Sequence, residues 1–399
     1  MSEEYTEVVD NSWGDRFGSS LFAVILGLIL FFGSFILLFW NEGRLNLSEI
    51  AKTAVEISAT QPNQKAIGKF ISTTGTIKSN QALGDNLFLI PGSYSVVDRT
   101  VEMFAWREEK RTEERKSMLD GKVTKTTTYK YTKGWTNEPS DSSDFNYSQT
   151  HYNPKKAYSD QHYTASGAKV GLYDINMTDF KEVMQRKTSC DSNSTALSYP
   201  TAEGIYLNSN SRLQLSAQSI KSSGDDVKLT NNYLFKGKGV PENPSIGDVR
   251  ICYNVIPSNS TVTVFGKLAP SNQITVYNAP KNTKFYQLFA TSRNEAIKIL
   301  NSEYTVWTWV LRLIGFAAMS FGIIFALQPI NTLLKLIPFV GEWVEEISLS
   351  LSFFIAFILT MVTILVSQLL HHPLILIVAI ITTLIAFSGV KKIRKNYLN

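Results

Sequence analysis

The sequence predicts a helical membrane protein with four spanning helices, in a one-plus-three arrangement, and a large β-rich (α+β) domain outside the cytoplasm. Apolar residues make up 44% of the 399-residue chain, but they concentrate in a few uncharged runs near the two ends. The stretch between these runs mixes charges with β-branched and aromatic residues, as strands of a water-soluble domain do. Together these two features predict the class of the protein.

The first run, residues 19–40, contains no charged residue. About 20 helical residues cross the hydrocarbon core of a bilayer, so the run is long enough to span it. A cleaved signal peptide is the alternative. Acidic residues precede the run, however, and no small-residue cleavage pattern follows it, which favours a retained anchor.

Three further runs lie near the C-terminus, and His371-His372-Pro373 makes a tight break between the last two. The predicted segments are an N-terminal segment 1–18, spanning helices 19–40, 305–327, 347–370 and 371–390, a domain 41–304, an interfacial loop 328–346 and a basic tail 391–399.

Basic residues predict the orientation, because short cytoplasmic flanks are enriched in lysine and arginine. Lys391, Lys392, Arg394 and Lys395 follow the last run, and Lys335 lies in the short loop. Both termini are therefore predicted in the cytoplasm, and the domain on the other side of the membrane.

The net charge of +5 comes largely from this tail, so it does not indicate nucleic-acid binding. Cys190 and Cys252 are the two cysteines of the chain, and both lie in the domain. One disulfide could form in an oxidising compartment, and the sequence leaves open whether they pair. We expect no cofactor and no metal site, since two thiols and four histidines without ligand spacing do not suit one.

Within the domain, the sequence predicts strands over residues 94–106 and 122–131 and a hairpin of 248–256 with 261–268. It predicts a short helix from a cap at Asn46 to about Ala59, and another over 178–184. A capping box at Ser292–Glu295 opens a helix that should continue into the second span.

No catalytic motif is present, which favours a structural protein over an enzyme. Arg312 lies about one turn inside the second span, where an arginine extends to the headgroups at low cost. The residues predicted at the membrane surface are Trp40, Asn41, Glu42, Arg44, Trp307, Trp309 and Arg312.

Small residues in the spans allow helices to approach closely, within one chain or between copies. The predicted packing or oligomerisation positions are Gly27, Gly33, Gly315, Ala318 and Gly322.

Several motifs, in order along most of the chain, are similar to those of the transmembrane protein 43 family, also called LUMA. They are Trp40-Asn41-Glu42-Gly43-Arg44, Val101–Trp106, Tyr131–Trp135, His151–Pro154, Val170–Tyr173, Gly247–Arg250 and Trp309–Arg312.

The resemblance implies a non-enzymatic scaffold that self-associates and organises other membrane proteins. It also implies that the membrane is the endoplasmic reticulum and inner nuclear membrane in a eukaryote, or the cytoplasmic membrane in a bacterium. The partners expected are the lipid bilayer, further copies of the chain and other membrane proteins. A channel or channel-modulating subunit, with a pore formed only in an oligomer, is the alternative, although the spans carry few polar residues for one.

Overall fold

The computed structural model describes residues 3–11, 13–116, 123–180, 182–184, 190, 201–207, 211–221, 227–334 and 341–371. The chain divides into two compact units, which are described separately. The β-rich unit contains Met1–Val9, Asn46–Lys116 and Thr124–Tyr304, and the helical unit contains Asp10–Leu45, Ser117–Val123 and Thr305–Asn399.

The helices are α1 (Trp13–Glu42), α2 (Leu47–Thr53), α3 (Arg293–Leu334) and α4 (Gly341–His371). Among the described residues, α1, α3 and α4 are long and apolar enough to cross a membrane, whereas the sequence predicted four spans. The fourth predicted span, 371–390, lies outside the described residues beyond His371. Both helices extend into the predicted loop 328–346, because α3 continues to Leu334 and α4 begins at Gly341.

The first residues of two helices follow the predicted signals. The Asn46 side chain accepts a hydrogen bond from Ser48 N and caps α2. The helix ends at Thr53 rather than near Ala59, because the next residues form a strand of a sheet. The predicted continuity of α3 is confirmed: the helix runs unbroken from Arg293.

Seventeen strands occur in the described part of the chain. They are β1 (Glu3–Asn11), β2 (Val55–Ser58), β3 (Phe70–Lys78), β4 (Tyr94–Lys116), β5 (Val123–Thr136), β6 (Gln161–Thr164), β7 (Ala168–Val170), β8 (Tyr173–Ile175), β9 (Glu182–Met184), β10 (Glu203–Tyr206), β11 (Val227–Leu229), β12 (Leu234–Lys236), β13 (Val249–Pro257), β14 (Thr261–Leu268), β15 (Gln273–Thr275), β16 (Tyr277–Ala279) and β17 (Thr283–Phe289).

The first sheet has the order β1-β5-β4-β13-β12-β11, and β6 also pairs with β4. Successive side chains of β4 point to opposite faces of the sheet, as in any strand. Val97, Val101 and Met103 enter a hydrophobic core, while Asp98 and Glu102 are buried on the opposite face. This sheet therefore has a buried polar face as well as an apolar one.

The second sheet has the order β2-β3-β7-β8-β15-β14-β17-β10-β9, and β16 also pairs with β17. Because β14 pairs with β3 as well, the five strands β3, β7, β8, β15 and β14 close into a small barrel. Ile71, Ile77, Val262 and Val264 are fully buried in the core of this sheet.

Two local predictions are wrong. Strands β13 and β14 are not a hairpin, since β13 pairs with β4 and β12 while β14 pairs with β3, β15 and β17. The turn between them carries the chain from one sheet to the other. The predicted helix 178–184 is a short 3₁₀ turn followed by β9, because the backbone of β9 pairs with β10.

The N-terminal strand is a feature that the sequence did not predict. We expected residues 1–18 and 41–304 on opposite sides of the membrane, yet β1 pairs with β5 in the first sheet. Tyr5 of β1 stacks on Tyr147 with ring centroids 4.3 Å apart.

Candidate functional site at the helix ends

A polar cluster forms at the C-terminal end of α1, where the motif Trp40–Arg44 lies. Asn41 is fully buried, and its Nδ2 donates to the backbone oxygen of Thr308 on α3, at 3.1 Å. Arg44 donates to Asn41 Oδ1 at 3.0 Å and to Thr308 Oγ1 at 2.9 Å. The end of α1 and the residue Arg44 beyond it are therefore fastened to Thr308 of α3 by two hydrogen bonds.

Glu42 lies at the centre of the cluster, with a side chain that is 4% exposed. Arg312 of α3 donates from Nε to Oε1 at 2.8 Å and from Nη2 to Oε2 at 2.7 Å. Gln368 of α4 donates to Oε2 at 3.0 Å. A paired fork of this kind is among the stronger protein hydrogen-bonding arrangements. One carboxylate thus joins three helices.

Arg312 has a partner that the sequence analysis did not assign. We predicted that its side chain extends to lipid headgroups, whereas in the structure its charge faces Glu42. The guanidinium carbon also lies 4.9 Å from the ring centroid of Trp309. Trp309 is 62% exposed and Trp40 51%, and Trp307 is half-buried. Their position at a membrane surface stays a prediction.

The sequence analysis missed Thr308, Gln368, Ser367 and His371. Ser367 donates to the backbone oxygen of Phe39 in α1 at 3.1 Å. The ring of His371 fills the space beside Gly43, where an added Cβ would lie 2.3 Å from Nε2. The signal was available, because polar side chains at the end of an apolar run usually have partners in the bundle.

The small residues bring α1 and α3 together within one chain. A Cβ on Gly322 would lie 2.7 Å from Phe31 N, and one on Gly27 would lie 2.8 Å from Gly322 O. A Cβ on Gly315 would lie 2.6 Å from Leu38 Cδ2. Ala318 is half-buried on α3. Gly33 is exposed, and a Cβ there would meet no described atom within 4 Å.

The two cysteines of the β-rich unit form a disulfide, and both are buried. Cys252 lies in β13 opposite Thr100, next to the pair formed by Arg250 and Glu102. Glu102 accepts from Arg250 Nε at 2.5 Å and from the Cys190 amide at 3.1 Å. The disulfide and this ion pair together hold Cys190 over the polar face of the first sheet.

Within the described residues, no group of three or more His, Cys, Asp or Glu side chains could hold a metal ion. The charged groups at the helix ends instead satisfy one another in the packing of α1, α3 and α4. Apolar helices with a buried polar cluster, together with a β-rich unit, define the class as a helical membrane protein with a large β-rich domain.

The chain belongs to the transmembrane protein 43 family, whose model matches residues 103–373. It is 22% identical to Transmembrane protein 43 of Homo sapiens over 383 residues, which cover 90% of this chain and 87% of the human protein. It is 20% identical to the Rattus norvegicus protein over 381 residues, with 90% and 87% covered. It is also 22% identical to Transmembrane protein 43 homolog of Drosophila melanogaster over 364 residues, with 88% and 89% covered. No solved structure matches the chain.

Proposed function

We propose that the chain is a non-enzymatic membrane scaffold that self-associates and organises other membrane proteins. The observation that carries the proposal is the use of the charged groups at the helix ends. Glu42, Arg312 and Gln368 hold α1, α3 and α4 together through direct side-chain hydrogen bonds. The charged side chains of this cluster bind one another across the helix contacts. This arrangement favours a rigid scaffold over a protein that binds a substrate or conducts an ion at this position.

Two further observations support a role in assembly. The long helices keep apolar side chains exposed along their lengths, including Ile29, Ile36 and Phe354 at 65%, 71% and 62%. In a bilayer, lipid or neighbouring helices cover such surfaces. Gly33 lies between Ile29 and Ile36 on α1, at i+4 and i+7 spacing, where a second helix could approach closely.

In the proposed arrangement the chain crosses the membrane four times, with residues 371–390 as the fourth span and both termini in the cytoplasm. The β-rich unit then lies in an oxidising compartment, where the Cys190–Cys252 disulfide is stable. This would be outside the bacterial cytoplasmic membrane or inside the lumen of the endoplasmic reticulum and nuclear envelope.

The mass of the full-length protein tests self-association, measured by native mass spectrometry in a mild detergent and again in nanodiscs. We expect a discrete assembly of several copies in both. A strict monomer in both would overturn self-association. An assembly should next be imaged, because a continuous central pore would favour the channel function instead.

A further inference from the structure

The outer edge of β5 carries an aromatic and polar cluster that fits one kind of peptide. We call it the β5 edge site and define it by Trp106, Tyr131, Asn146, Tyr147 and His151. The site is built from residues distant in sequence, and its parts support one another. The Tyr131 hydroxyl donates to the Glu108 carboxylate. The same carboxylate accepts a hydrogen bond from the backbone N–H of Asn146 at 2.7 Å.

The rings of the site are packed in fixed orientations. His151 is fully buried, and its ring stacks on that of Tyr131 with centroids 3.7 Å apart. The rings of Trp106 and His151 pack edge to face, with centroids 4.7 Å apart. Burial and the hydrogen bond to Glu108 raise the pKa of Tyr131 to about 12, so its hydroxyl stays protonated. The tyrosine can therefore donate to Glu108 throughout the physiological range.

In the structure this site is filled by β1, in which Glu3, Tyr5 and Glu7, at every second position, each make a specific contact. Glu3 Oε2 lies 3.2 Å from His151 Nε2. Tyr5 stacks on Tyr147 and meets the edges of Tyr131 and His151, with each centroid 5.9 Å away. Glu7 Oε1 accepts from Asn146 Nδ2 at 2.9 Å. The site thus reads an acidic–tyrosine–acidic pattern at every second residue of an extended strand, with backbone pairing to β5.

In the proposed membrane topology β1 cannot occupy the β5 edge site of its own chain. Strand β1 ends at Asn11, shortly before α1 begins at Trp13, whereas residues 131–151 come after α1. A helix that crosses a bilayer once leaves the residues before it on one side and those after it on the other. The crossing proposed for α1 therefore carries β1 away from its own β5 edge site. A vacated site would expose an unpaired strand edge and several aromatic rings, which favours the binding of another strand.

We propose that the β5 edge site docks an extended segment of a partner protein on the domain side of the membrane, with glutamate or aspartate at two positions flanking a tyrosine. The partner strand would add to β5 and place its tyrosine where Tyr5 lies. This proposal rests on the scaffold function and deepens it, because it assigns a partner class to one surface.

The test uses the full-length protein in nanodiscs, where both membrane faces are open to solvent. A fluorescent peptide with the sequence of residues 3–11 is titrated and its anisotropy is measured. We expect saturable binding, weakened about tenfold or more by Tyr5→Ala in the peptide, since one lost anchor costs roughly 1.4 kcal/mol or more. The peptide change leaves the fold of the protein untouched.

Two protein variants supply the matched comparison. Tyr147→Ala removes the ring that stacks on Tyr5 and should weaken binding by a similar factor. Tyr152→Ala changes a neighbouring tyrosine that is 67% exposed and should bind the peptide as the unchanged protein does. Absence of saturable binding, or equal binding of the two peptides, would overturn the proposal.

A cross-linking experiment decides whether the chain's own segment occupies the site. Glu7→Cys and Asn146→Cys are combined, and the protein is oxidised in nanodiscs and examined by non-reducing electrophoresis and mass spectrometry. We expect no bond between the two introduced cysteines. A bond within one chain would place β1 on the domain side and overturn docking of a partner, as would a bond between two copies. Native mass tests self-association separately, so either proposal can fail alone.

Discussion

The carboxylate of Glu42 has hydrogen-bond donors from two neighbouring helices, in a position from which water is largely excluded. Its side chain is 4% exposed and that of Arg312 is 18% exposed. Removal of one member of a buried ion pair leaves the other charge without compensation, which typically costs about 3–5 kcal/mol. Removal of both members costs much less. The pair should therefore behave as a unit.

We expect Arg312→Gln to lower the unfolding temperature of the full-length protein clearly, and Glu42→Gln in the same chain to restore much of the loss. The measurement is thermal unfolding in one detergent, followed by tryptophan fluorescence. Lys298→Gln is the control, because Lys298 pairs with Glu295 at the surface and is 73% exposed. A double variant no more stable than Arg312→Gln would contradict the account.

Two buried aspartates of the β-rich unit have opposite pKa shifts. Burial alone would raise the pKa of Asp85, but hydrogen bonds from Tyr253, Arg99 and two backbone amides lower it overall. Burial raises the pKa of Asp98, which His162 offsets only in part. The ionised form of Asp85 thus stabilises the fold, and this stability is lost as the pH falls through the folded-state pKa. The protonated form of Asp98 stabilises it, and that stability is lost as the pH rises.

We therefore expect Asp85→Asn and Asp98→Asn to change stability in opposite directions at neutral pH. Asp85→Asn should destabilise by about 3–5 kcal/mol, because it leaves Arg99 buried without its counter-ion. Asp98→Asn should raise the unfolding temperature slightly. Unfolding curves at pH 7 and at about pH 4 check this. The gain from Asp98→Asn should shrink at the lower pH, whereas the loss from Asp85→Asn should largely remain, because the folded-state pKa of Asp85 lies below 3.8. The same sign for both variants at neutral pH would be incompatible with these environments.

At the scale of elements, the contact between α1 and α3 depends on the absence of side chains at two positions. Gly27 and Gly322 face each other so closely that a Cβ on either would lie within 3 Å of backbone atoms. Gly33, two turns further along α1 from Gly27, has no such neighbour among the described residues. Helix propensity alone favours alanine over glycine by roughly 1 kcal/mol. The two kinds of position should respond differently to the same change.

We expect Gly322→Ala to lower the unfolding temperature, since the added methyl group pushes α1 and α3 apart. Gly33→Ala is the matched control and should leave the unfolding temperature unchanged or raise it. Both are measured in the same detergent, together with native mass. A loss of assembly in Gly33→Ala alone would identify this face as the contact between copies. Equal destabilisation by the two variants would argue against the α1–α3 contact.

At the scale of the whole molecule, the disulfide makes the orientation testable. Cells are lysed directly into denaturant with a maleimide-polyethylene glycol reagent, with or without prior reduction. We expect no labelling without a reductant and two additions after it. Cys190→Ser should give one addition without reduction, which shows that the reagent reaches a free thiol. Labelling of the unchanged chain without a reductant would place the β-rich unit in a reducing compartment and contradict the proposed orientation.

The sequence predicted single elements better than their partners. The strands over 94–106 and 248–268 were recognisable from β-branched and aromatic residues, but their pairing was not. A period of two is the same whichever strand lies alongside, so the sequence suggested a hairpin where β13 and β14 belong to different sheets. The N-cap of α2 was predictable because it depends on neighbouring residues alone. The end of that helix was not, because β3 competes for its last turn.

The sequence by itself determined the class of the protein, its candidate spans and its family, because uncharged runs and ordered motifs are properties of the chain alone. It also singled out Glu42 and Arg312 as residues at the membrane surface and Gly322 as a helix-packing position. Only the tertiary structure decided that Glu42 pairs with Arg312, that Gly322 serves a contact within the chain and that Cys190 meets Cys252. These pairs lie 62 to 295 residues apart, with Glu42 and Arg312 separated by 270. No local propensity extends so far, and packing alone selects which residues meet.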